Sequence, residues 1–254
     1  MILEKLSLIN FKNYDEAQLE FCSKFNCFVG NNGMGKTNLL DAIHYVSFCK
    51  SFFNAIDSQN IKHELPFFVI QAWINKNGDT HEIYCGVKRG AKKQFKHNKK
   101  EYERLSEHIG LYPLVMISPS DIELIWDGSE VRRKFMDSII SQYDKVYLEK
   151  LIAYNHVLQQ RNALLKQFYE SRTFDNMSLE IWDDQLIIHG EEIIKIRTHF
   201  LQEFIPLFTK NYQFISGSNE NVSLEYESSI KDLSYKTVLT ASLSRDRAVH
   251  HTTV

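Results

Sequence analysis

The first 21 residues alternate apolar and polar positions with the period of two that marks a half-buried strand. Leu6 and Leu8 share one face of a strand over residues 2–10, and Ala17, Leu19 and Phe21 share one face of a second over 16–21. Lys12, Asn13, Tyr14 and Asp15 make the turn between them. Phe25, Phe28 and Val29 predict a short buried strand over residues 25–29, and Leu39, Ile43 and Val46 predict one face of a helix over 38–46. Residues 67–74 and 81–88 alternate around the polar run from Asn75 to Asp79, which predicts a hairpin. A second hairpin follows it.

From Ser129 the apolar spacing changes to three and four and holds for roughly eighty residues. Val131, Phe135 and Ile139 line a first helix. Leu148, Leu151, Asn155, Leu158, Asn162 and Leu165 form a second series, which breaks near 171–176. Leu179, Trp182, Leu186, His189, Ile193, Ile196 and Phe200 answer it, so the two segments are expected to pack as an antiparallel, coiled-coil-like hairpin. Asn155, Asn162 and His189 stand at seam positions, where polar side chains fix register. Pro206 is expected to close the helical region, with a strand over 221–227 through Val222, Leu224 and Tyr226 and a last helix around Tyr235, Val238 and Ser242. The pattern is α/β: an N-terminal lobe over 1–125, then an inserted all-α helical arm over 126–210.

Composition narrows the class. The chain has 254 residues, 43% of them hydrophobic, and a net charge of −2, so any affinity for nucleic acid has to come from a local patch. Cys22, Cys27, Cys49 and Cys85 show no C-x-x-C spacing and sit in apolar segments, which suits reduced, buried thiols and a cytoplasmic protein. No apolar run approaches the ~20 residues that span a bilayer, and the N-terminus lacks a signal-peptide core. A soluble intracellular protein is expected.

Gly30, Asn31, Asn32, Gly33, Met34, Gly35, Lys36 and Thr37 fit the phosphate-binding pattern G-x-x-x-x-G-K-[ST] at each specified position. The glycines allow phosphate oxygens close to the main chain, Lys36 supplies a mobile cation, and Thr37 offers its hydroxyl to a Mg²⁺ ion bridging the phosphates. The helix that begins there points its first N–H groups at the anion. This is the chemistry of an ATP site.

Seven basic residues lie between 88 and 100: Lys88, Arg89, Lys92, Lys93, Lys96, Lys99 and Lys100. Such a strip suits a phosphate backbone, or else protects an edge strand. Arg132, Arg133 and Lys134 form a basic helical turn open to the same two readings. Trp182, Asp183 and Asp184 imitate a Walker B strand but fall within the helical series and lack the preceding aliphatic run.

Two blocks carry a resemblance. Leu8-Ile9-Asn10-Phe11-Lys12-Asn13-Tyr14, the glycine-rich loop through Ala42, Ser51-Phe52 and Asp57 resemble the N-terminal lobe of the RecF family. The run from Ser118 to Ile125, with Gly128 and Arg132 to Asp137, is similar to a second motif of that family. The chain departs from it at Lys12 and Phe53, where arginine is usual. The resemblance implies an ABC-type ATPase fold with a mixed sheet. The charge of the basic strip and turn makes Arg89, Lys92, Lys93, Lys96, Arg132 and Arg133 the candidate DNA contacts, and the resemblance places ATP at residues 30–37 with Lys12 and Asn13 beside it. It further implies an ATP-bound homodimer on gapped DNA, a slow ATPase, and the recombination mediators RecO and RecR as partners. On this resemblance 211–254 begins a second ATPase lobe, and the signature, Walker B and downstream histidine motifs lie beyond Val254, so that this length alone is expected to hydrolyse ATP poorly. Two other classes share the loop: an ABC-type ATPase coupled to a nuclease, and a P-loop phosphotransferase of a small metabolite.

Overall fold

In the computed structural model, residues 1–217, 220, 222–228, 230 and 233–254 are described. They divide into two units, Met1–Val131 and Arg132–Val254.

The alternation at the N-terminus becomes pairing. Strand β1 (Ile2–Ile9) and strand β2 (Glu16–Glu20) run antiparallel, with Leu6 opposite Leu19 and Leu8 opposite Ala17. Helix α1 (Lys36–Phe48) follows the glycine-rich loop. Strands β3 (Phe67–Lys76) and β4 (Asp79–Lys88) form the predicted hairpin, whose turn places Asn77 at φ 58° and Gly78 at φ 97°. Positive φ at both central residues matches the right-handed twist of the strands, which is why Asn-Gly stands there. Strands β5 (Gln94–His97) and β6 (Lys100–Glu101) complete the order β2-β1-β3-β4-β5-β6. Each pairing among the described strands is antiparallel.

Leu6, Leu8, Phe68, Ile70, Ile83, Val87 and Phe95 put one sheet face into a core that α1 enters with Leu39, Ala42, Tyr45 and Val46. Burial of such side chains contributes about 1.5–3 kcal/mol each before chain entropy is subtracted. The face is continuous, so α1 is held against the sheet.

Residues 25–29 do not form the strand expected of them. Phe25 is 88% and Val29 91% exposed, and no described strand lies alongside to pair with them. A strand is a property of two neighbours, and alternation alone supplies only one. The cysteines split: Cys49 and Cys85 are buried as expected, whereas Cys22 and Cys27 are exposed in the unpaired segment.

Helices α2 (Glu123–Trp126), α3 (Ser129–Tyr143), α4 (Lys145–Ser171), α5 (Asn176–Ser216) and α6 (Tyr235–Val249) make up the rest. Three begin on side-chain caps. Asp144 accepts from the Tyr147 amide at 2.9 Å, Asp175 from that of Met177 at 3.0 Å and Ser234 from that of Thr237 at 3.2 Å. Arg161 of α4 meets Asp183 of α5 and Lys150 meets Glu192, so the two helices are antiparallel. Leu148 and Leu165 of the predicted series on α4 are buried, as are Leu179, Leu186, Ile193 and Phe200 of the series on α5. Arg197 crosses to Asp137 of α3 through two hydrogen bonds of 2.8 and 2.9 Å.

Four expectations are corrected here. The buried face of α3 is Met136 and Ile140, one residue round from Val131, Phe135 and Ile139, because that face meets Ile193 and Phe200. Asn155 is exposed; Val157 and Arg161 are the buried residues near it. Pro206 lies inside α5 and does not end it. The aromatic ladder Phe200, Phe204, Phe208 and Tyr212, with successive ring centroids 5.4, 6.1 and 5.9 Å apart, runs along α5 on both sides of the missing proline donor. Residues 222–227 are irregular, again with no described strand to pair with, and position 221 lies outside the described residues. The last helix runs on through Ser244 to Val249.

Candidate nucleotide-binding site

Residues 30–37 come together as one loop entering α1. Gly33 stands at φ 82° and Gly35, the residue before α1, at φ 100°, a left-handed conformation that side chains with Cβ resist. Lys36 opens the helix, and its ammonium donates to the carbonyls of Gly30 at 2.7 Å and Asn31 at 2.8 Å. The cation is thereby folded back over its own loop. Thr37 is exposed beside it, as are Asn31, Asn32, Gly33 and Met34.

The turn between β1 and β2 braces this loop. The Tyr14 hydroxyl donates to the Gly35 carbonyl at 3.1 Å, and the Asn13 amide donates to the Gly33 carbonyl at 3.4 Å. Asn38, on the first turn of α1, donates to the Asn13 side-chain oxygen at 2.7 Å. Burial pushes the Tyr14 phenol up from its ordinary range, so it remains a donor at neutral pH. The brace explains the third glycine. A Cβ on Gly35 would lie 2.7 and 2.8 Å from the Asn13 side chain and 3.0 Å from the Tyr14 ring. Gly35→Ala is therefore expected to destabilise the first unit by about 1–3 kcal/mol and to displace the loop. Thermal unfolding and nucleotide affinity measured together check it: unchanged values in both would dismiss the brace.

Lys12 takes a different place from Asn13. Its ammonium lies 2.5 Å from Asp41 of α1 and over the rings of Phe11 and Phe53, at 5.7 and 5.3 Å from their centroids. Asp41, fully buried, also accepts from Ser51 Oγ and the Phe52 amide, each at 2.6 Å. Three donors satisfy a carboxylate that burial alone would make costly. Behind it, Lys93 pairs with Asp57 at 2.7 Å and donates to the Cys49 carbonyl at 2.7 Å. Tyr45 donates to the same Asp57. Burial raises the Tyr45 phenol well above its ordinary range and pushes the Cys49 thiol up to about 12, so both stay protonated. Asp41, Ser51 and Asp57 carry no signal in periodicity; only their place in the resembling motif singles them out.

The basic candidates have different local surroundings. Lys92 is exposed, Arg89 donates to the Leu65 carbonyl at 3.3 Å, Lys96 lies 5.5 Å over the Tyr84 ring, and Lys93 is turned inward. Arg132 and Arg133 lie on the exposed side of α3. Trp182, Asp183 and Asp184 are helical, and Asp183 is an ion-pair partner of Arg161. Among the described residues no three His, Cys, Asp or Glu side chains converge on a metal site, and no helix is long and apolar enough to cross a membrane.

Known proteins share this sequence and fold. The family described as an AAA domain matches residues 5–245. The DNA replication and repair protein RecF of Phocaeicola vulgatus is 54% identical over 98% of this chain and 67% of its own. That of Flavobacterium johnsoniae is 52% identical over 99% and 70%. The chain thus spans about two thirds of these relatives' length. A solved structure described as the recombination mediator protein RecF-ATPrS in the RecFOR pathway superposes with a TM-score of 0.91 at 32% identity, over 99% of this chain and 70% of that one. A second, described as RecF-ATP, gives 0.88 at 32% identity. The fold is that of the P-loop, ABC-type ATPases, and the chain belongs to the RecF family.

Proposed function

We propose that this protein is a DNA replication and repair ATPase that binds ATP at residues 30–37 and uses it to hold DNA. The loop carries the reading: left-handed Gly33 and Gly35, a lysine ammonium already held at the loop mouth, and relatives described as RecF-ATP and RecF-ATPrS. The residues fit a triphosphate. Lys36 would exchange two carbonyl acceptors for phosphate oxygens, the first amides of α1 would face the same charge, and Asn13 would keep the loop in register. Thr37, exposed at the helix start, would ligate Mg²⁺, which when bound screens phosphate charge.

ATP binding in this reading closes a homodimer on gapped duplex DNA, and slow turnover releases it. Arg89, Lys92, Lys96, Arg132 and Arg133 contribute phosphate contacts. Lys93 contributes less, since its ammonium would have to leave Asp57. The names of the relatives support a part in DNA replication and repair and in recombination mediation; a cytoplasmic setting, assistance to recombinase loading, and RecO and RecR as partners are part of the proposal.

A titration of gapped duplex with the chain, with and without ATP and Mg²⁺ at several salt concentrations, tests this. Binding is expected to tighten with ATP and to weaken steeply with salt, as counterion release requires. Equal binding with and without nucleotide would mean that the loop is not the switch.

A further inference from the structure

The turn between α4 and α5, in the second unit, borders an open pocket that the nucleotide site does not use. Its volume is about 820 Å³, and Phe168, Tyr169, Arg172, Phe174, Ser244 and Arg247 are among its lining residues. Two helix ends meet there. Arg172 follows α4 at φ 52° and His250 follows α6 at φ 60°. Both are left-handed positions that glycine fills at least cost, and in both the chain carries a large basic or aromatic side chain. Backbone strain of this kind persists where the side chain serves something other than local folding.

The side chains form a set of ring faces with positive charge beside them. The Arg247 guanidinium lies 4.0 Å over the Phe174 ring, and Phe168 meets Phe174 edge-on at 5.3 Å. The His250 imidazole lies 3.8 Å from the Tyr169 ring, which is nevertheless 62% exposed. A guanidinium stacked on a ring keeps its N–H edges in its own plane, open to an oxygen anion. Among the described lining residues Glu170 is the acidic one and has Lys166 at 3.8 Å, against Arg172 and Arg247.

The geometry points to a pocket for an unpaired nucleotide, with its base against the Tyr169 ring and its phosphate at Arg172 and Arg247. The inference rests on the nucleic-acid reading of the proposed function and names the single-stranded part of the DNA as the occupant. A paired base inside a duplex has no free face to offer, whereas a single strand stacks on aromatic rings without regard to sequence. An acidic peptide without an aromatic side chain would satisfy the arginines but leave the ring unused.

The test uses the whole chain with an oligothymidylate carrying 5-iodouracil, photo-cross-linked and mapped by mass spectrometry, alongside anisotropy titrations of the same oligonucleotide and a blunt duplex. Cross-links are expected at Tyr169 or His250. Tyr169→Ala and Arg247→Gln are each expected to weaken oligonucleotide binding about tenfold and to leave duplex binding unchanged. Tyr169 is exposed enough for its loss to spare the fold, and the cross-link needs no variant at all. Cross-links elsewhere, or oligonucleotide binding within about twofold of wild type in both variants, would overturn the pocket while leaving the duplex reading standing. Binding of neither DNA would overturn both. Occupation by an acidic, tyrosine-bearing peptide, with no oligonucleotide cross-link, would assign the pocket to a protein and overturn the inference.

Discussion

Lys36→Ala is expected to raise the dissociation constant for ATP by about two orders of magnitude while leaving the melting temperature of the chain nearly unchanged. The first half follows from charge. A lysine ammonium facing a triphosphate forms charge-assisted hydrogen bonds, and truncating one partner of such a pair costs about 2–5 kcal/mol. At roughly 1.4 kcal/mol per decade, the middle of that range is a factor of a few hundred. The second half follows from what Lys36 touches in the absence of phosphate. Its ammonium donates to two exposed carbonyls, those of Gly30 and Asn31, and water replaces it there at little expense. The loop keeps its shape through Asn13, Tyr14 and Asn38, none of which contacts the ammonium. Calorimetric titration with ATP and a thermal melt of the same sample decide the matter. A variant that melts early would make Lys36 structural; one that binds ATP like wild type would remove the site.

Arg161→Leu is expected to destabilise the second unit by about 3–5 kcal/mol, the largest loss of folding stability from a single substitution in the α4–α5 hairpin. The Arg161 side chain is fully buried. It donates to Asp183 at 2.6 Å, to Asp246 at 2.7 Å and to Thr252 at 2.8 Å. Asp246 is itself fully buried and holds the Thr253 amide and hydroxyl at 2.9 and 2.7 Å. Removing the cation leaves two carboxylates without a counter-charge, which the neutral donors to Asp246 do not replace. Burial already raises the Asp183 carboxyl against the opposing pull of Arg161, which shows the direction the site takes once that pull is lost. One guanidinium nitrogen, Nη2, has no partner among the described residues, so the network is not saturated even in the native chain. Urea unfolding followed by far-ultraviolet circular dichroism, which the helices of this unit dominate, reads the loss. Replacing Arg161, Asp183 and Asp246 together by apolar residues should recover much of it, because the cost lies in unpaired charge more than in the pair. A loss under about 1 kcal/mol in Arg161→Leu would mean that water reaches the site.

The sequence is most readable where structure is local. The loop at 30–37 and the Asn77-Gly78 hairpin each declare themselves within a few residues, and they appear as expected. Legibility fails where a partner is needed. Residues 25–29 have the alternation of a strand and no neighbour among the described strands to complete it. On α3 the series Val131, Phe135, Ile139 and the series through Met136 and Ile140 have the same spacing, and only the position of α5 chooses between them. Arg161 is invisible to a search for apolar seams, since its aliphatic stem packs while its head is neutralised from elsewhere. Lys93 looks like its neighbours in the basic strip until Asp57, 36 positions earlier, is seen to hold it. Asn13 was legible through the family motif alone, and hydrogen bonding gives it a reason.

The brace at Asn13 and Tyr14 also says what the smallest portable unit of this site is. The eight residues of the loop carry the anion-binding sequence, but the instructions for its shape are written in a turn some twenty positions upstream and in the first turn of α1. Grafted alone onto another scaffold, the loop would arrive as an unshaped glycine-rich linker; moved with residues 12–41, it would bring its own mould.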